Sequence, residues 1–365
     1  MKLLVLAQTP PPLHGQSVMV QSLVEGLPAH GVEIHHVNLA LSRDAADIGR
    51  WRPGKAFAVL AACWQAVRAK SRHGCDTLYY VPAPGKRGAL YRDWTVMLLC
   101  RPFYKRIVLH WHAAGLGDWL ATRASGFERR LSQRLLGQAD LAIVLSEKLR
   151  ADAEAFAPKK IAVVPNGIAD PDSPATPRVP AGTGPFQVLF LGLCSEDKGL
   201  FASAEAVLAA NRAARAPKAE PKFTLVAAGP FADFATGTRF NDLCAAHPAA
   251  LRSIGPVHGE EKNRLLRESH CLCLPSRYRP EGQPLVLLEA MAWDLPVIAT
   301  RWRAIPDTLP TEARLVEPGD PAALAQALVE LRRNPPPVGA FRKHFLAHFT
   351  LERHLGQLAA ALRGL

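Results

Sequence analysis

Two doubly wound α/β domains, each built on a parallel sheet, are the fold this sequence predicts, and three observations carry the prediction. The chain has 365 residues, of which 48% are apolar, enough for two cores of ordinary size. Short runs rich in Val, Ile and Leu alternate with helix-length segments, the pattern of parallel strands covered on both faces. The alternation breaks once, at "PDSPATPRVPAGTGP" (residues 171–185), where Pro, Gly and Thr crowd together as in a linker, and then restarts. The expected organisation is a first domain over 1–180, a second over 181–345 and a closing helix over 346–365. Sheets of this kind bind ligands beyond the carboxyl ends of their strands, so the expected site is a cleft in which the two domains face each other.

The opening "MKLLVLA" holds an apolar run too short for a signal peptide, with no small-residue cleavage site. It predicts a first buried strand over 3–7. Further strands are predicted over 32–37, 77–81, 107–111, 141–145 and 161–164. After the break they follow over 187–191, 223–227, 271–274 and 297–299. Cys271 and Cys273 alternate with Leu272 and Leu274, a core strand rather than a metal site. The seven cysteines are scattered and contain no CxxC, which fits a reducing cytoplasm. No stretch approaches the roughly 18 apolar residues a membrane span needs. The tail "HFTLERHLGQLAAALRGL" is amphipathic and reads as the closing helix.

The formal net charge is +12 and lies mostly in the first half. The first 180 residues carry 23 Lys/Arg against 14 Asp/Glu, the remainder 21 against 18. The excess is densest over 86–106, where Lys86, Arg87, Arg92, Arg101, Lys105 and Arg106 face one acid, Asp93. Tyr91, Trp94, Met97, Leu98, Leu99 and Phe103 lie among them. Such a stretch suits the headgroup boundary of an anionic membrane, a phosphate-bearing substrate, or a core helix with a solvated edge. No nucleic-acid recognition motif accompanies the charge.

The densest chemical information is "RYRPEGQPLVLLEAMAWDLPVIAT", residues 277–300. A strand ends before Pro275-Ser276, and Gly282 and Pro284 mark a turn and a helix start. Glu281 then stands at the helix mouth, with Leu285 and Val286 in the first turn and the amides of 284–287 open to an anion such as phosphate. Glu289 lies further in, among Leu287, Leu288, Ala290 and Met291. Its burial costs energy unless it accepts hydrogen bonds, and paired hydroxyls such as those of ribose would supply them. A backbone-satisfied core carboxylate is the alternative.

"EGQPLVLLEAMAWDLPVIAT" resembles the signature of the family 4 glycosyltransferases, retaining enzymes of the GT-B fold, whose two glutamates are separated by seven residues. "PPPLHGQS" looks like the family's amino-terminal glycine loop and "VLHWHAAG" like its histidine strand. "VVPNGI" looks like its Asn-Gly turn and "FLGLCSEDKGL" like the start of its second domain. The resemblance implies that Glu289 accepts ribose hydroxyls and that Glu281 lies beside the transferred sugar. Lys198 would face the diphosphate, Gly15 would admit the first loop's backbone to it, and His112 would approach the sugar. Asn166 is expected to stabilise its own turn.

Three positions depart from the family's pattern. Leu193 stands where an arginine is usual, and Arg277 or Arg279 is the expected replacement. His14-Gly15 replaces a pair of glycines, and Ala113 follows His112 where glycine is usual. No metal site and no other cofactor is implied, because a helix amino end plus basic side chains can meet the diphosphate. GxGxxG and a Walker lysine loop are absent from the sequence, against a dehydrogenase or an ATPase. The expected activity is transfer of a sugar from a UDP- or GDP-sugar to a hydroxyl of a glycan or lipid-linked glycan, with an anionic membrane as a possible surface. The alternatives are a phosphorylase or sugar-phosphate synthase on the same fold, and a sugar-nucleotide binder without transfer activity.

Overall fold

Leu3, Leu4, Val5 and Leu6 are completely buried in the first strand, as a near-continuous apolar run in a two-faced sheet requires. The computed structural model describes residues 1–40, 53–171, 184–213 and 222–365. Two units are present. One comprises Met1–Gly167, Pro280–Gln283 and Leu351–Leu365, the other Ile168–Arg279 and Pro284–Thr350. The stretch 171–185, apart from its ends, lies outside the described residues.

The first unit runs β1 (Lys2–Ala7), α1 (Gly15–Gly26), β2 (Glu33–Asn38), α2 (Pro53–His73), β3 (Thr77–Tyr80) and α3 (Arg87–Cys100). It continues with β4 (Arg106–Trp111), α4 (Leu116–Thr122), α5 (Gly126–Leu136), β5 (Leu141–Val144), α6 (Arg150–Glu154) and β6 (Ile161–Val163). Its six strands pair in parallel in the order β2-β1-β3-β4-β5-β6.

The second unit runs β7 (Phe186–Leu191), α7 (Leu200–Ala213), β8 (Phe223–Ala228), α8 (Phe234–Ala246), β9 (Leu251–Gly255), α9 (Gly259–Glu268) and β10 (Cys271–Leu274). Then come α10 (Leu285–Ala292), β11 (Val297–Thr300), α11 (Ile305–Thr308), β12 (Arg314–Val316), α12 (Pro321–Arg333) and α13 (Ala340–His348). Its sheet is also all parallel, in the order β12-β11-β10-β7-β8-β9. The tail helix α14 (Leu351–Arg363) belongs to the first unit. There Leu355, Leu358, Ala359 and Leu362 join the core built from Leu3, Val5, Leu23, Leu27 and Tyr79.

Strand β7 shows how both faces of a sheet are filled. Phe186, Val188 and Phe190 pack with Leu200, Val207, Leu324 and Leu328 of α7 and α12. The alternate residues Leu189 and Leu191 pack with Leu287, Leu288, Met291, Phe341 and Phe345 of α10 and α13. Successive side chains point to opposite faces, so one apolar run feeds two cores. Burying each such Leu or Phe contributes about 1.5–3 kcal/mol.

The predicted strands appear with ends shifted by a residue or so. Two strands escaped the sequence reading, β9 and β12, both at edges of the second sheet. Arg252 and Ser253 interrupt β9, and all three residues of β12 are only half-buried. An edge strand has one neighbour and lacks the apolar run by which the central strands were found.

Candidate functional site

In the second unit, the chain leaves β10 at Pro275-Ser276 and is tied down at once. The Thr300 hydroxyl donates to the Ser276 carbonyl, and the indole Nε1 of Trp302 donates to the Tyr278 carbonyl (2.7 Å). Arg277 reaches back to the loop after β7, pairing with Glu196 (3.2 Å) and Asp197 (3.8 Å), while its amide donates to the Asp197 carbonyl (2.7 Å). Gly199 permits this closeness: its φ is +91°, and a Cβ there would lie 2.6 Å from the Pro275 carbonyl oxygen. The result is that Lys198 Nζ sits 4.9 Å from the centre of the Tyr278 ring, a cation–π placement.

Of the two arginines expected to replace the one missing at Leu193, the structure separates the roles. Arg277 is engaged by Glu196 and Asp197, whereas Arg279 is exposed and makes no ion pair among the described residues. Leu193 itself is exposed.

Helix α10 differs in detail from the expectation. Pro284 is the N-cap, with φ −64° and ψ 119°, rather than the first helical residue. Leu287 donates to the Pro284 carbonyl (3.1 Å) and proline has no N–H, so the open amides belong to Leu285 and Val286. The burial of the two glutamates is reversed. Glu281 is only 4% exposed, whereas the Glu289 side chain is 22% exposed and pairs with Lys262 at 2.8 Å. The cause is helical phase. Leu285, Val286, Glu289 and Trp293 share the less buried side of α10, while Leu287, Leu288, Ala290 and Met291 face the core.

Glu281 belongs, with Pro280, Gly282 and Gln283, to the first unit. Gly282 lies directly against β4's end: a Cβ there would stand 2.1 Å from the His112 carbonyl oxygen. Ala114 donates to the Pro280 carbonyl (3.4 Å). Asn166 does not stabilise its own turn as expected. Its amide donates to Gln283 Oε1 (2.7 Å) and its Nδ2 to the Gln283 carbonyl (3.4 Å), leaving its Oδ1 buried without a partner among the described residues. Glu281 and His112 are thereby gathered in one unit. Gln283 was not singled out from the sequence, since only a long-range contact reveals it.

His112 is flanked by histidines. Its ring centre is 4.1 Å from that of His110, which is completely buried and shares a short hydrogen bond with the Tyr79 hydroxyl. Burial pushes the His112 imidazole down to about 3, and His354 and His14 add to the shift. Burial also holds the His110 imidazole well below its usual range. It also pushes His354 of α14 down to about 4, although its Nδ1 donates to the Pro165 carbonyl (2.6 Å). His14 caps α1, its Nδ1 accepting from the Ser17 amide (3.2 Å), and Gly15 opens that helix at the surface. The His-x-His alternation placing two imidazoles on one face of β4 was readable in the sequence; the approach of His354 was not.

These imidazoles are neutral at pH 7, with consequences for acid stability. Each holds fewer protons folded than unfolded, because its folded pKa lies below the usual value of about 6.5. The stability so contributed is complete above pH 6.5 and is lost as pH falls toward about 4 for His354 and about 3 for His112. Three such groups give a ceiling of about 4 kcal/mol per pH unit. Urea denaturation at pH 7, 6 and 5 should show a steep fall in unfolding free energy. His354→Gln should reduce the proton uptake on unfolding at pH 5.5 by about one. A flat profile between pH 7 and 5 would mean that the histidines titrate normally.

Two parallel six-stranded α/β units of these strand orders define a GT-B architecture. A family model described as "Glycosyltransferase Family 4" matches residues 13–170, and one described as "Glycosyl transferases group 1" matches 185–334. The chain belongs to the family 4 glycosyltransferases. It is similar to a phosphatidyl-myo-inositol mannosyltransferase of Propionibacterium freudenreichii subsp. shermanii, 30% identical over 216 residues, or 57% of this chain. The match spans about half of that relative's length (52%). Among solved structures, sucrose-phosphate synthase from Thermosynechococcus elongatus superposes with a TM-score of 0.73 at 19% identity, over 100% of this chain and 99% of that one. Anabaena HepE in complex with UDP gives 0.69 at 16%, over 100% of both chains. At such identities the likeness concerns the fold alone.

Proposed function

We propose that the chain is a retaining glycosyltransferase that moves a sugar from a UDP- or GDP-sugar to a hydroxyl of a glycan or lipid-linked glycan. The observation that carries this reading is in the second unit. Lys198 and Arg279 stand on two loops that Arg277 ties together, just before the helix that bears Glu289. In this reading Lys198, Arg279 and the amides of Leu285 and Val286 meet the diphosphate, without a metal ion. Lys262 holds one oxygen of Glu289, and the other accepts from the ribose hydroxyls. In the first unit, Glu281 and the neutral His112 serve the transferred sugar, with Gly15 supplying a loop whose backbone approaches phosphate.

Of the two acceptor classes, we favour the lipid-linked one, met at the cytoplasmic membrane face. The mannosyltransferase relative is named for a phosphatidylinositol, and the basic surplus lies in the first half of the chain. No helix among the described residues is long and apolar enough to cross a membrane, so contact would be peripheral.

Thermal-shift measurements with UDP-, GDP- and ADP-sugars test the donor. A cognate donor at a hundred times its dissociation constant should stabilise by about 2.7 kcal/mol, and its turnover should release the nucleoside diphosphate. Binding without any turnover, with acceptor lipids present, would make the chain a binder. Lys198→Ala and Arg279→Ala should each weaken nucleoside diphosphate binding about tenfold and leave nucleoside binding unchanged, since a charge-assisted hydrogen bond contributes about 1.5–3 kcal/mol. Equal losses for both ligands would mean that these cations touch something other than phosphate.

A further inference from the structure

We infer that α2 is the element by which the protein enters the headgroup region of an anionic bilayer, seated by Phe57, Leu60 and Trp64. The inference rests on the lipid-borne acceptor proposed above and supplies its surface. The sequence drew attention instead to residues 86–106, and the structure engages most of those cations elsewhere. Arg87 pairs with Glu128 (2.9 Å) and Arg92 with the buried Asp93 (2.7 Å). Arg101 donates to the carbonyls of Leu135 (2.6 Å) and Gln138 (3.2 Å), and Lys105 pairs with Asp76 (2.8 Å). Leu90, Trp94, Val96 and Met97 are buried. That segment is mainly a packed helix.

Helix α2 has the features that segment lacks. Val59, Ala62, Cys63 and Ala66 form its buried face. On the opposite face Phe57, Leu60 and Trp64, spaced i, i+3 and i+7, are 73%, 48% and 61% exposed. The helix contains no Asp or Glu, and it carries Lys55, Arg68, Lys70 and Arg72. Lys70 pairs with Asp76 (3.0 Å), while Arg68 and Arg72 are exposed, the Arg68 guanidinium lying 5.2 Å from the centre of the Trp64 ring.

The end of α3 and the turn after it pack on the buried face of α2. Tyr104 donates to the Ala66 carbonyl (2.8 Å), and Cys100 lies at the Cys63 carbonyl (3.9 Å). Leu98, Leu99 and Phe103 at this end of the chain segment are exposed as well.

An apolar stripe edged by cations alone matches an anionic lipid surface, where the rings sink to the acyl boundary and the arginines stay among the headgroups. A second copy of the chain is a poorer occupant. A two-fold contact would press this cation-edged face, whose helix carries no Asp or Glu, against an identical one.

The test uses the full chain and vesicles of phosphatidylglycerol with phosphatidylcholine, or of phosphatidylcholine alone. The unmodified protein should sediment with the anionic vesicles and ignore the neutral ones. Phe57→Ser with Trp64→Ser should lower the partition coefficient at least tenfold. Arg68→Gln with Arg72→Gln should lower it severalfold and flatten its salt dependence. All these positions are exposed, so circular dichroism and the donor-induced thermal shift should be unchanged. Brominated lipid should quench the tryptophan fluorescence of the unmodified protein more than that of Trp64→Phe.

If the unmodified protein binds anionic vesicles and the Phe57/Trp64 variant binds equally well, α2 is not the docking element, although a lipid acceptor still stands. If the unmodified protein binds no vesicles, direct docking is wrong, and transfer to detergent-dispersed lipid acceptors then judges the acceptor separately. If it elutes as a dimer that the double substitution splits, the face joins two copies and the inference fails.

Discussion

Glu289→Gln is expected to weaken binding of the cognate nucleotide sugar by tenfold to a hundredfold while leaving the fold intact. Glutamine keeps the length and one acceptor but removes the charge from the hydrogen bonds assigned to the ribose, each worth about 1.5–3 kcal/mol when charge-assisted. The substitution also breaks the pair with Lys262, whose side chains are 30% and 22% exposed. A pair that open to solvent contributes at most about 1 kcal/mol, so the thermal midpoint should move little. Calorimetric titration separates the two effects, because only the first is seen in the donor dissociation constant. An unchanged constant would remove Glu289 from the donor site.

Gly282→Ala is expected to cost about a hundredfold in transfer rate with donor affinity held within about twofold. The new Cβ would stand 2.1 Å from the His112 carbonyl oxygen and 3.1 Å from its carbon. Those atoms are main chain at the end of β4 and cannot rotate aside, so the strand end or the Pro280–Gln283 segment must shift by about 1 Å. A displacement of that size at reacting groups can cost about a hundredfold. Glu281 and His112 would move, and the Asn166–Gln283 hydrogen bonds would lengthen. Lys198, Arg279 and Glu289 belong to the other unit, where Lys198 keeps its place at Tyr278 and Glu289 its pair with Lys262. Wild-type transfer by the alanine variant would mean that the seating of the Pro280–Gln283 segment against His112 is immaterial to the reaction. A parallel loss of donor affinity would place Glu281 in ground-state binding.

The central strands were legible because a parallel sheet demands apolar residues on both faces, and runs such as Leu3 to Leu6 or Cys271 to Leu274 satisfy nothing else so well. Edge strands β9 and β12 were illegible because that demand is relaxed there. The glutamate pair was visible as spacing, but its burial was not. Whether Glu289 faces core or solvent depends on which side of α10 packs inward, and Leu285 and Val286 on one side are as apolar as Leu287 and Leu288 on the other. Asn166 with Gln283, and His354 with the Pro165 carbonyl, join residues far apart in the chain. No local pattern encodes such contacts. Charge density left three readings open for a related reason. A count of cations over 86–106 cannot show that Glu128, Asp76 and Asp93 already engage Lys105 and two of the arginines, whereas the exposed stripe of α2 emerges only once its buried face is known.

The first unit is assembled from three separated stretches of chain, and this bears on how it comes into being during synthesis. Its sheet is complete by Val163, yet its core still lacks Leu355, Leu358 and Leu362 of α14. Translation proceeds at roughly 5–20 residues per second, so the second unit emerges, over tens of seconds, before that helix exists. During this interval Leu23 and Leu27 keep apolar surface uncovered, the kind of patch that chaperones bind. Cutting the gene between the two halves would make that transient condition permanent, leaving the amino-terminal fragment without the helix that seals it.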